Sequence, residues 1–306
     1  MLNYSLKRLA SAIPTLLILI TVAFFLIRVA PGGPFDSEKA LPEEIKANLE
    51  AKYQLDQPLV VQYLRYLWQI IQFDFGPSFH YRDWTVNELI AQGAPVSFTL
   101  GTLALMLAFV VGTGLGAWAA LRQNTTADYT TMAIAMMGIS IPNFVVAPLL
   151  VLVFAVSLGW LPAGGWSYSL SNMVLPTIAL SLPMIAYIAR ITRGSMIEVL
   201  HSEYIRTARA KGLPEREIII KHALKPALLP VISFLGPAAA GILTGSVVIE
   251  RIFTIPGIGS HFVQGALNRD YTLVMGVVIF YGVLIIVMNF LVDLLYAWLD
   301  PRIRYD

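Results

Sequence analysis

Long stretches without a charged residue dominate the hydropathy pattern of the chain. Five runs contain no Asp, Glu, Lys or Arg: 9–27, 89–121, 129–189, 226–249 and 271–292. A helix needs about 20 apolar residues to cross roughly 30 Å of hydrocarbon, because each residue rises about 1.5 Å. Each run is therefore long enough to span a membrane, and the third is long enough for two helices.

The third run is divided by a segment at 159–172 that is rich in glycine, tryptophan and serine and also contains Pro162. Such a composition is typical of a turn at a membrane surface, since glycine and proline interrupt helices and tryptophan favours the interface. The pattern as a whole predicts six helices, at 9–29, 97–121, 131–158, 172–192, 227–249 and 273–297.

The composition supports a membrane protein and excludes several other classes. Of the 306 residues, 57% are hydrophobic and 13% are charged, whereas soluble domains contain about 25% charged residues. The net charge of +2 excludes a strongly basic nucleic-acid binder. The absence of cysteine excludes disulfides, thiolate zinc sites and Fe–S clusters. The predicted fold class is an all-α integral membrane protein with six transmembrane helices.

The distribution of basic residues predicts the orientation of these helices. With the N-terminus in the cytoplasm, the cytoplasmic segments contain thirteen basic residues and the short outer segments contain three, Arg28, Arg251 and Arg269. Basic residues concentrate on the cytoplasmic side of membrane proteins. Both termini are therefore predicted to be cytoplasmic.

The polar segment at 32–94, between the first and second predicted spans, is expected to fold outside the membrane. Two helices are predicted in it, at 42–53 and 59–71, each with apolar residues at helical spacing and separated by the 56–58 turn. The segment is thus predicted to be a small helical extracytoplasmic cap. Spacing alone leaves two roles open, a lid that packs on its own helices and a docking surface for an external partner.

The segment at 190–225 is predicted to form two short amphipathic helices in the cytoplasm. Ser195 and Glu198 have the spacing of a capping box, which would begin the first helix. Its apolar stripe would consist of Met196, Val199, Leu200, Tyr204 and Ala208. Gly212 suits the end of that helix, and Pro214 can open the second one.

Several motifs for chemistry are absent or have a simpler explanation. The chain has no P-loop and no Gly-x-Ser-x-Gly elbow, so neither ATP binding through a P-loop nor a serine hydrolase is expected. The predicted topology places the four histidines in pairs on opposite sides of the bilayer, so no common metal site is expected. Gly112, Gly114 and Gly116 lie inside a span, where small residues permit close helix packing.

Acidic residues within the predicted spans are limited to Asp293, which is the candidate for an intramembrane polar site. Carriers driven by protons or ions typically place ionisable residues near the middle of the membrane. A partly hydrated acid at a helix interface is the preferred interpretation of Asp293. The sequence therefore predicts a membrane path whose energy source lies on another protein.

A series of short motifs covers nearly the whole chain. They are RVAPGGPF at 28–35, YQLDQP at 53–58, DFGPS at 74–78, ARITRGSM at 189–196, YIRTARAKGLP at 204–214, HALKPALLP at 222–230, IPGIG at 255–259, NRDY at 268–271 and DPR at 300–302. In this order and spacing, the chain resembles the permease subunits of bacterial ABC importers, in the oligopeptide/dipeptide branch.

The resemblance implies a six-span permease in the bacterial inner membrane. It implies pairing with a second, homologous permease, two ATPase subunits on the cytoplasmic side and an extracytoplasmic peptide-binding protein. ATP and Mg would be bound by the ATPase subunits, so no cofactor, metal or catalytic residue is expected on this chain. The implied division is an N-terminal transmembrane helix at 1–31, the outer loop at 32–94, a permease core at 95–298 with a coupling loop at 194–225, and a cytoplasmic tail at 299–306.

The resemblance also implies the position at which ATP hydrolysis is coupled to transport. The family's Glu-Ala-Ala loop, whose short helix fits a cleft on the ATPase, corresponds to the segment at 194–225. The residues that it assigns to ATPase coupling are Tyr204, Arg206, Thr207, Ala208, Arg209 and Gly212. Aligned on Gly212, the Glu-Ala-Ala positions hold Arg206, Thr207 and Ala208, so only the alanine at 208 agrees with the general motif.

Two alternatives to an oligopeptide importer stay open at this point. A permease for dipeptides, nickel chelates or other small solutes would carry the same motifs. A stand-alone secondary carrier or channel belongs to another class and would be supported by inverted repeats or acids in the middle of the membrane.

Overall fold

The computed structural model describes residues 2–29, 32–35 and 42–299, and the last residues of the predicted tail, 300–306, lie outside the described part. The described residues are helical, with no β-strand among them. In chain order, the α-helices are α1 (Leu2–Val29), α2 (Glu43–Lys52), α3 (Leu59–Ile71), α4 (Val86–Leu121), α5 (Thr126–Ser140), α6 (Asn143–Leu150), α7 (Leu170–Leu200), α8 (Glu203–Ala210), α9 (Glu215–Glu217), α10 (Leu224–Ala227), α11 (Leu229–Gly245), α12 (Val247–Ile252), α13 (Ile258–Leu267) and α14 (Tyr271–Leu299). Two π-helical segments, Val151–Ser157 and Ile218–Ala223, continue α6 and α9.

Five helices are long and apolar enough to cross a membrane, and the bent pair of α5 with the α6 segment brings the number to as many as six. The six predicted regions therefore all contain candidate spans. The prediction of one continuous third helix at 131–158 is wrong, because the chain bends by 103° between Ser140 and Asn143. Pro142 explains the break, since proline forces Ile141 into an extended conformation and cannot continue the helical hydrogen bonds.

The chain divides into two compact units, of which the first contains residues up to Val96 and Pro256–Val287. One core of this unit joins α1, α3 and α14 through Ile20, Phe24, Tyr66, Met275 and Ile279. A second core joins the start of α4 to α13 and α14 through Val86, Leu89, Ile90, Ile258, Leu273 and Val277. The two helices predicted in the 32–94 segment are present as α2 and α3, and α3 packs directly on α1.

A buried carboxylate organises the polar end of the first unit. Asp270 is fully buried, and its Oδ1 accepts a hydrogen bond from the backbone N–H of Leu273 at 3.1 Å, which caps the first turn of α14. Its other oxygen accepts from the Ser78 hydroxyl and from the His80 N–H, the latter at 3.2 Å. The Asp270 side chain thus joins the NRDY motif, to which it belongs, to Ser78 of the DFGPS motif. Both motifs therefore have a structural role.

Among the described residues the second unit contains 97–255 and 288–299, and α7 lies at its centre. Glycines allow neighbouring helices to approach the α7 backbone closely. A Cβ on Gly112 would lie 2.9 Å from the Ile185 carbonyl, and one on Gly116 would overlap the Ala189 carbonyl. The close-packing prediction is confirmed for these two glycines, while Gly114 has no neighbour within 4 Å of such a Cβ.

Candidate coupling site

The short helix α8 separates its apolar side chains cleanly from its polar ones. Ile205 is completely buried and Ala208 is nearly so, whereas Tyr204 is 47% exposed. The other exposed residues of α8 are Glu203, Arg206, Thr207, Arg209 and Ala210. Burial three residues apart places one narrow apolar edge on the rest of the chain. The remaining surface of α8, including Tyr204, is available for contact.

The apolar edge of α8 belongs to a cluster that connects three parts of the second unit. Met196 contributes from the end of α7, Ile218 from the segment that follows α9, and Ala120 from the end of α4. Met196, Ile205 and Ile218 are each completely buried. Because α8 is held by side chains from the ends of spanning helices, a force applied to it acts on those helices through packed contacts.

Gly212 ends α8 in a Schellman motif. Its φ is +76°, in the left-handed region that glycine enters without steric cost. The Gly212 N–H donates to the Arg209 carbonyl at 2.9 Å, and the Leu213 N–H donates to the Ala208 carbonyl at 3.3 Å. These are the two hydrogen bonds that define the motif, and Leu213 packs against the same cluster as Ala208. The prediction that Gly212 ends the helix is confirmed.

An ion pair closes the turn that follows Gly212. The Arg209 Nη2 lies 2.7 Å from Glu215 Oε1, and Arg209 Nε donates to the other carboxylate oxygen at 3.3 Å. Hydrogen bonds from Arg209 hold the pKa of Glu215 below its ordinary value, and the same contact raises the pKa of Arg209. Both side chains are about half exposed, so the pair contributes little stability and mainly orients the turn.

The structure corrects the predicted first amphipathic helix. Ser195 and Glu198 lie in the interior of α7, which continues to Leu200, so they form no capping box at a helix start. A turn at His201 and Ser202 then separates α7 from α8, and the Ser202 hydroxyl donates to the Val199 carbonyl at 2.6 Å. Four residues of the predicted stripe do lie in one apolar cluster: Met196, Val199, Leu200 and Ala208. Tyr204 does not join them, because the turn rotates α8 and leaves that side chain exposed.

The residues assigned to coupling therefore have different surroundings. Tyr204, Arg206 and Thr207 lie on the exposed side of α8, and Arg206 forms a 2.8 Å ion pair with Glu203 one turn away. Ala208 is buried in the cluster, while Arg209 and Gly212 form the helix end. All six lie on one helix and its cap. Asp293, the other predicted polar residue, is half-buried in α14 and far along the sequence from them.

Sequence analysis missed a buried ion pair that joins α5 to α7. Asp128 is fully buried, and its two carboxylate oxygens accept hydrogen bonds of 2.6 Å from Arg193 Nε and Nη2. The Asn124 N–H donates to the same carboxylate at 3.0 Å. A usable signal was present, because opposite charges stand at the facing ends of two consecutive predicted spans.

A second buried acid was also missed. Glu250 lies in α12, is fully buried, and accepts hydrogen bonds from the Ser97 and Ser246 hydroxyls at 2.7 and 2.6 Å. Asp293 stays a candidate for an intramembrane polar site, but two helices of the candidate spans also hold buried acids, Asp128 in α5 and Glu250 in α12. Both acids were missed because these helices extend beyond the charge-free runs from which the spans were predicted.

Comparison with known families places the chain in a class of transport proteins. Residues 112–305 match the family described as the inner membrane component of binding-protein-dependent transport systems. Residues 1–101 match the N-terminal family of the membrane components of the same systems. The chain belongs to the family of binding-protein-dependent transport system inner membrane components.

Individual relatives agree with this family over the full chain. The chain is 61% identical over 306 residues to the oligopeptide transport system permease protein OppB of Salmonella typhimurium, with both chains covered completely. It is 60% identical over the same length to OppB of Escherichia coli K12. It is also 51% identical to the dipeptide transport system permease protein DppB of Bacillus subtilis, with 99% of this chain and 98% of the relative covered.

Solved structures support the fold at much lower sequence identity. The MetNI methionine ABC transporter in an inward-facing conformation matches with a TM-score of 0.57 at 18% identity, over 69% of this chain and 96% of the other. An amino acid ABC transporter matches with a TM-score of 0.55 at 17% identity, over 69% and 94%. The chain therefore has the fold of an ABC transporter permease and is an all-α integral membrane protein.

Proposed function

We propose that the chain is the transmembrane permease subunit of an ATP-driven importer that moves oligopeptides across the bacterial inner membrane. The observation that carries this proposal is the 61% identity to an oligopeptide permease over the complete length of both chains. The importer would combine this chain with a second homologous permease, two cytoplasmic ATPase subunits and an extracytoplasmic peptide-binding protein. ATP and Mg would be bound by the ATPase subunits, and both termini of this chain would be cytoplasmic.

Coupling would proceed through α8. We propose that its exposed side, around Tyr204, enters a cleft on an ATPase subunit, while Ile205 and Ala208 hold it to the permease. Closure of the ATPase subunits would then move α8 as a body, and the cluster around Met196 and Ile218 would transmit that movement to the spanning helices. The energy for transport would come from ATP hydrolysis on the ATPase subunits and not from this chain.

A dipeptide importer is the second candidate, because the 51% identity to DppB extends over nearly the whole of both chains. The two candidates differ only in the length of the peptide. Permeases of this family often leave the selection of substrate to the binding protein. Peptide length is therefore tested on the assembled importer and not on this chain alone.

The function is tested by purifying the tagged chain from native membranes in mild detergent and identifying the accompanying proteins. We expect a second six-span permease and two P-loop ATPases, and ATP hydrolysis that peptides stimulate once the binding protein is added. Stimulation by longer peptides supports the oligopeptide importer, and stimulation by dipeptides alone supports the second candidate. A chain that transports solutes without any ATPase would contradict both.

The proposed contact of α8 is tested with Tyr204→Ala. Truncation of a large aromatic anchor at an interface commonly costs a factor of about ten or more in affinity. We therefore expect the ATPase subunits to dissociate about tenfold more readily from the variant and peptide uptake to fall accordingly. The measurement is ATPase retention during purification together with uptake in reconstituted vesicles.

The matched control for this prediction is Tyr168→Ala. Tyr168 is 61% exposed and lies between the π-helical segment Val151–Ser157 and α7. The sequence predicts that this stretch is on the opposite side of the membrane from α8. That variant is expected to retain the ATPases and uptake of the wild type. Equal loss in both variants, or full retention with Tyr204→Ala, would contradict the assignment of Tyr204 to the contact.

A further inference from the structure

A cavity of about 200 Å³ in the first unit carries three basic side chains. It lies between α1, α2 and α3, and the residues that matter for its chemistry are Arg28, Lys52, Arg65, Gln62, Gln69 and Tyr66. None of the described residues that line it is acidic. A cavity with this lining favours an anion, because uncompensated cations close together repel one another until a negative group binds between them.

Arg28 is held in one orientation at the wall of this cavity. Its guanidinium carbon lies 3.6 Å from the centre of the Phe24 ring, and its Nε donates to Gln62 Oε1 at 3.1 Å. Stacking and a hydrogen bond to Nε leave the two terminal amino groups of the guanidinium for a ligand. A planar, oriented arginine is the side chain best suited to bind two oxygens of a phosphate or carboxylate.

Tyr66 supplies an independent indication that the cavity binds a ligand. Its side chain is only 7% exposed, and its hydroxyl has no hydrogen-bond partner among the described residues. Burial raises the pKa of Tyr66, so the hydroxyl remains protonated and can donate. Buried hydroxyls in native proteins are almost always paired, so an unpaired donor beside three cations points to a missing acceptor.

The position of Arg28 along α1 indicates the depth of the cavity in the membrane. The apolar part of α1 extends over Ala10–Val29, which are 20 residues. At about 1.5 Å per residue this stretch matches roughly 30 Å of hydrocarbon, so its last turn lies at the level of the lipid headgroups. Arg28 is in that last turn, and the cavity beside it therefore opens at headgroup depth.

Apolar side chains continue from this level toward the hydrocarbon on two adjacent helices. On α3, Leu64, Trp68 and Ile71 are 59%, 62% and 68% exposed. On α1, Val22 and Leu26 are 52% and 66% exposed. The helices are in direct contact, with Phe24 and Tyr63 rings 5.2 Å apart. The outer faces of the pair therefore offer a surface on which acyl chains can lie, below a cationic cavity at the headgroups.

We propose that this cavity binds the phosphate of an anionic phospholipid, whose acyl chains lie along the exposed apolar faces of α1 and α3. Arg28 and Arg65 contact the phosphate oxygens, and the Tyr66 hydroxyl donates to one of them. The net positive charge of the cavity selects anionic over zwitterionic lipids. The bound lipid holds α3 against α1 at the membrane surface. This inference does not depend on which solute the protein transports.

The proposal is tested on the protein purified from native membranes with the subunits that accompany it, after exchange into detergent and removal of lipid. Phosphatidylglycerol and phosphatidylcholine are added separately, and bound lipid is counted by native mass spectrometry while thermal unfolding is recorded. We expect phosphatidylglycerol to bind at least about tenfold more tightly than phosphatidylcholine. This is the difference in affinity that one hydrogen bond to a charged group typically makes.

Two variants keep this test decisive. Arg28→Gln removes the oriented cation and should weaken phosphatidylglycerol binding about tenfold. Tyr66→Phe removes only a hydroxyl that has no hydrogen-bond partner among the residues that the structure describes. Without lipid this variant should therefore be as stable as the wild type, whereas its gain in stability from phosphatidylglycerol should be smaller. Arg82→Gln is the control, because Arg82 is exposed in the same unit and does not line the cavity.

Several results would overturn the proposal. One is equal binding of phosphatidylglycerol by the wild type, Arg28→Gln and Tyr66→Phe. Another is stabilisation of the protein by inorganic phosphate to the same extent as by the lipid, which would show that the acyl chains contribute nothing. A third is displacement of the lipid by a peptide with a free carboxyl terminus but not by its amide, which would assign the cavity to a substrate carboxylate.

Discussion

Replacement of Arg193 by methionine is expected to destabilise the protein more than any other single loss of a charge. Asp128 is fully buried and would lose both 2.6 Å hydrogen bonds from the guanidinium, retaining the one from the Asn124 N–H. Breaking a buried pair from one side costs about 3 kcal/mol, because the remaining charge is left without its counter-ion. We expect a drop of several degrees in the unfolding temperature of the purified protein.

The opposite single change should cost less, which makes the prediction specific. Asp128→Asn leaves Arg193 without a counter-ion, but that side chain is 27% exposed and can reach water or a lipid headgroup. We therefore expect Asp128→Asn to cost about 1–2 kcal/mol. The double variant should resemble Asp128→Asn and be more stable than Arg193→Met alone.

Arg190→Met is the control for this pair, because Arg190 is exposed and its guanidinium lies 5.4 Å from the Tyr187 ring, in contrast to the buried contact of Arg193. Its unfolding temperature should remain close to that of the wild type. A double variant less stable than both single variants would contradict the interpretation that the unpaired buried carboxylate causes the loss.

The ion pair illustrates where sequence reasoning on this chain stopped. Charge-free runs located the spanning regions, since twenty apolar residues in a row have few alternatives to a membrane helix. The helices extend past those runs until capping and packing end them, and Asp128 and Glu250 became buried in the extensions. Only their neighbours in three dimensions show why these two carboxylates can be buried. Arg193 pairs with Asp128, and the hydroxyls of two serines bind Glu250.

The coupling region shows a different limit. The end of α8 at Gly212 was predictable, because a glycine followed two residues later by a proline is a local signal that packing seldom overrides. The face of α8 that is buried was not predictable, because it depends on a two-residue turn at His201 and Ser202. A continuous helix would have grouped Tyr204 with Met196, whereas the turn directs Ile205 inward and leaves Tyr204 exposed.

Gly212→Pro is expected to have the largest effect on transport. Proline fixes φ near −65°, whereas Gly212 has φ of +76°, and it removes the N–H that donates to Arg209. Loss of both the left-handed residue and the cap hydrogen bond costs about 3 kcal/mol locally. The population of the native turn would fall about a hundredfold. We expect the importer to assemble and hydrolyse ATP while peptide uptake is nearly lost.

A graded series separates the backbone requirement from simple crowding at this position. A Cβ built on Gly212 has no atom within 4 Å, so steric contact predicts no cost for the Cβ that any residue other than glycine adds there. Backbone conformation predicts a different order, because asparagine enters the left-handed region readily, alanine less so, and a β-branched residue least of all. Uptake per ATP hydrolysed should therefore decrease from glycine through asparagine and alanine to valine and proline. Equal coupling in the valine and asparagine variants would mean that the left-handed cap of α8 is not required to couple ATP hydrolysis to uptake. Wild-type uptake with Gly212→Pro would exclude α8 and its cap from the coupling path altogether.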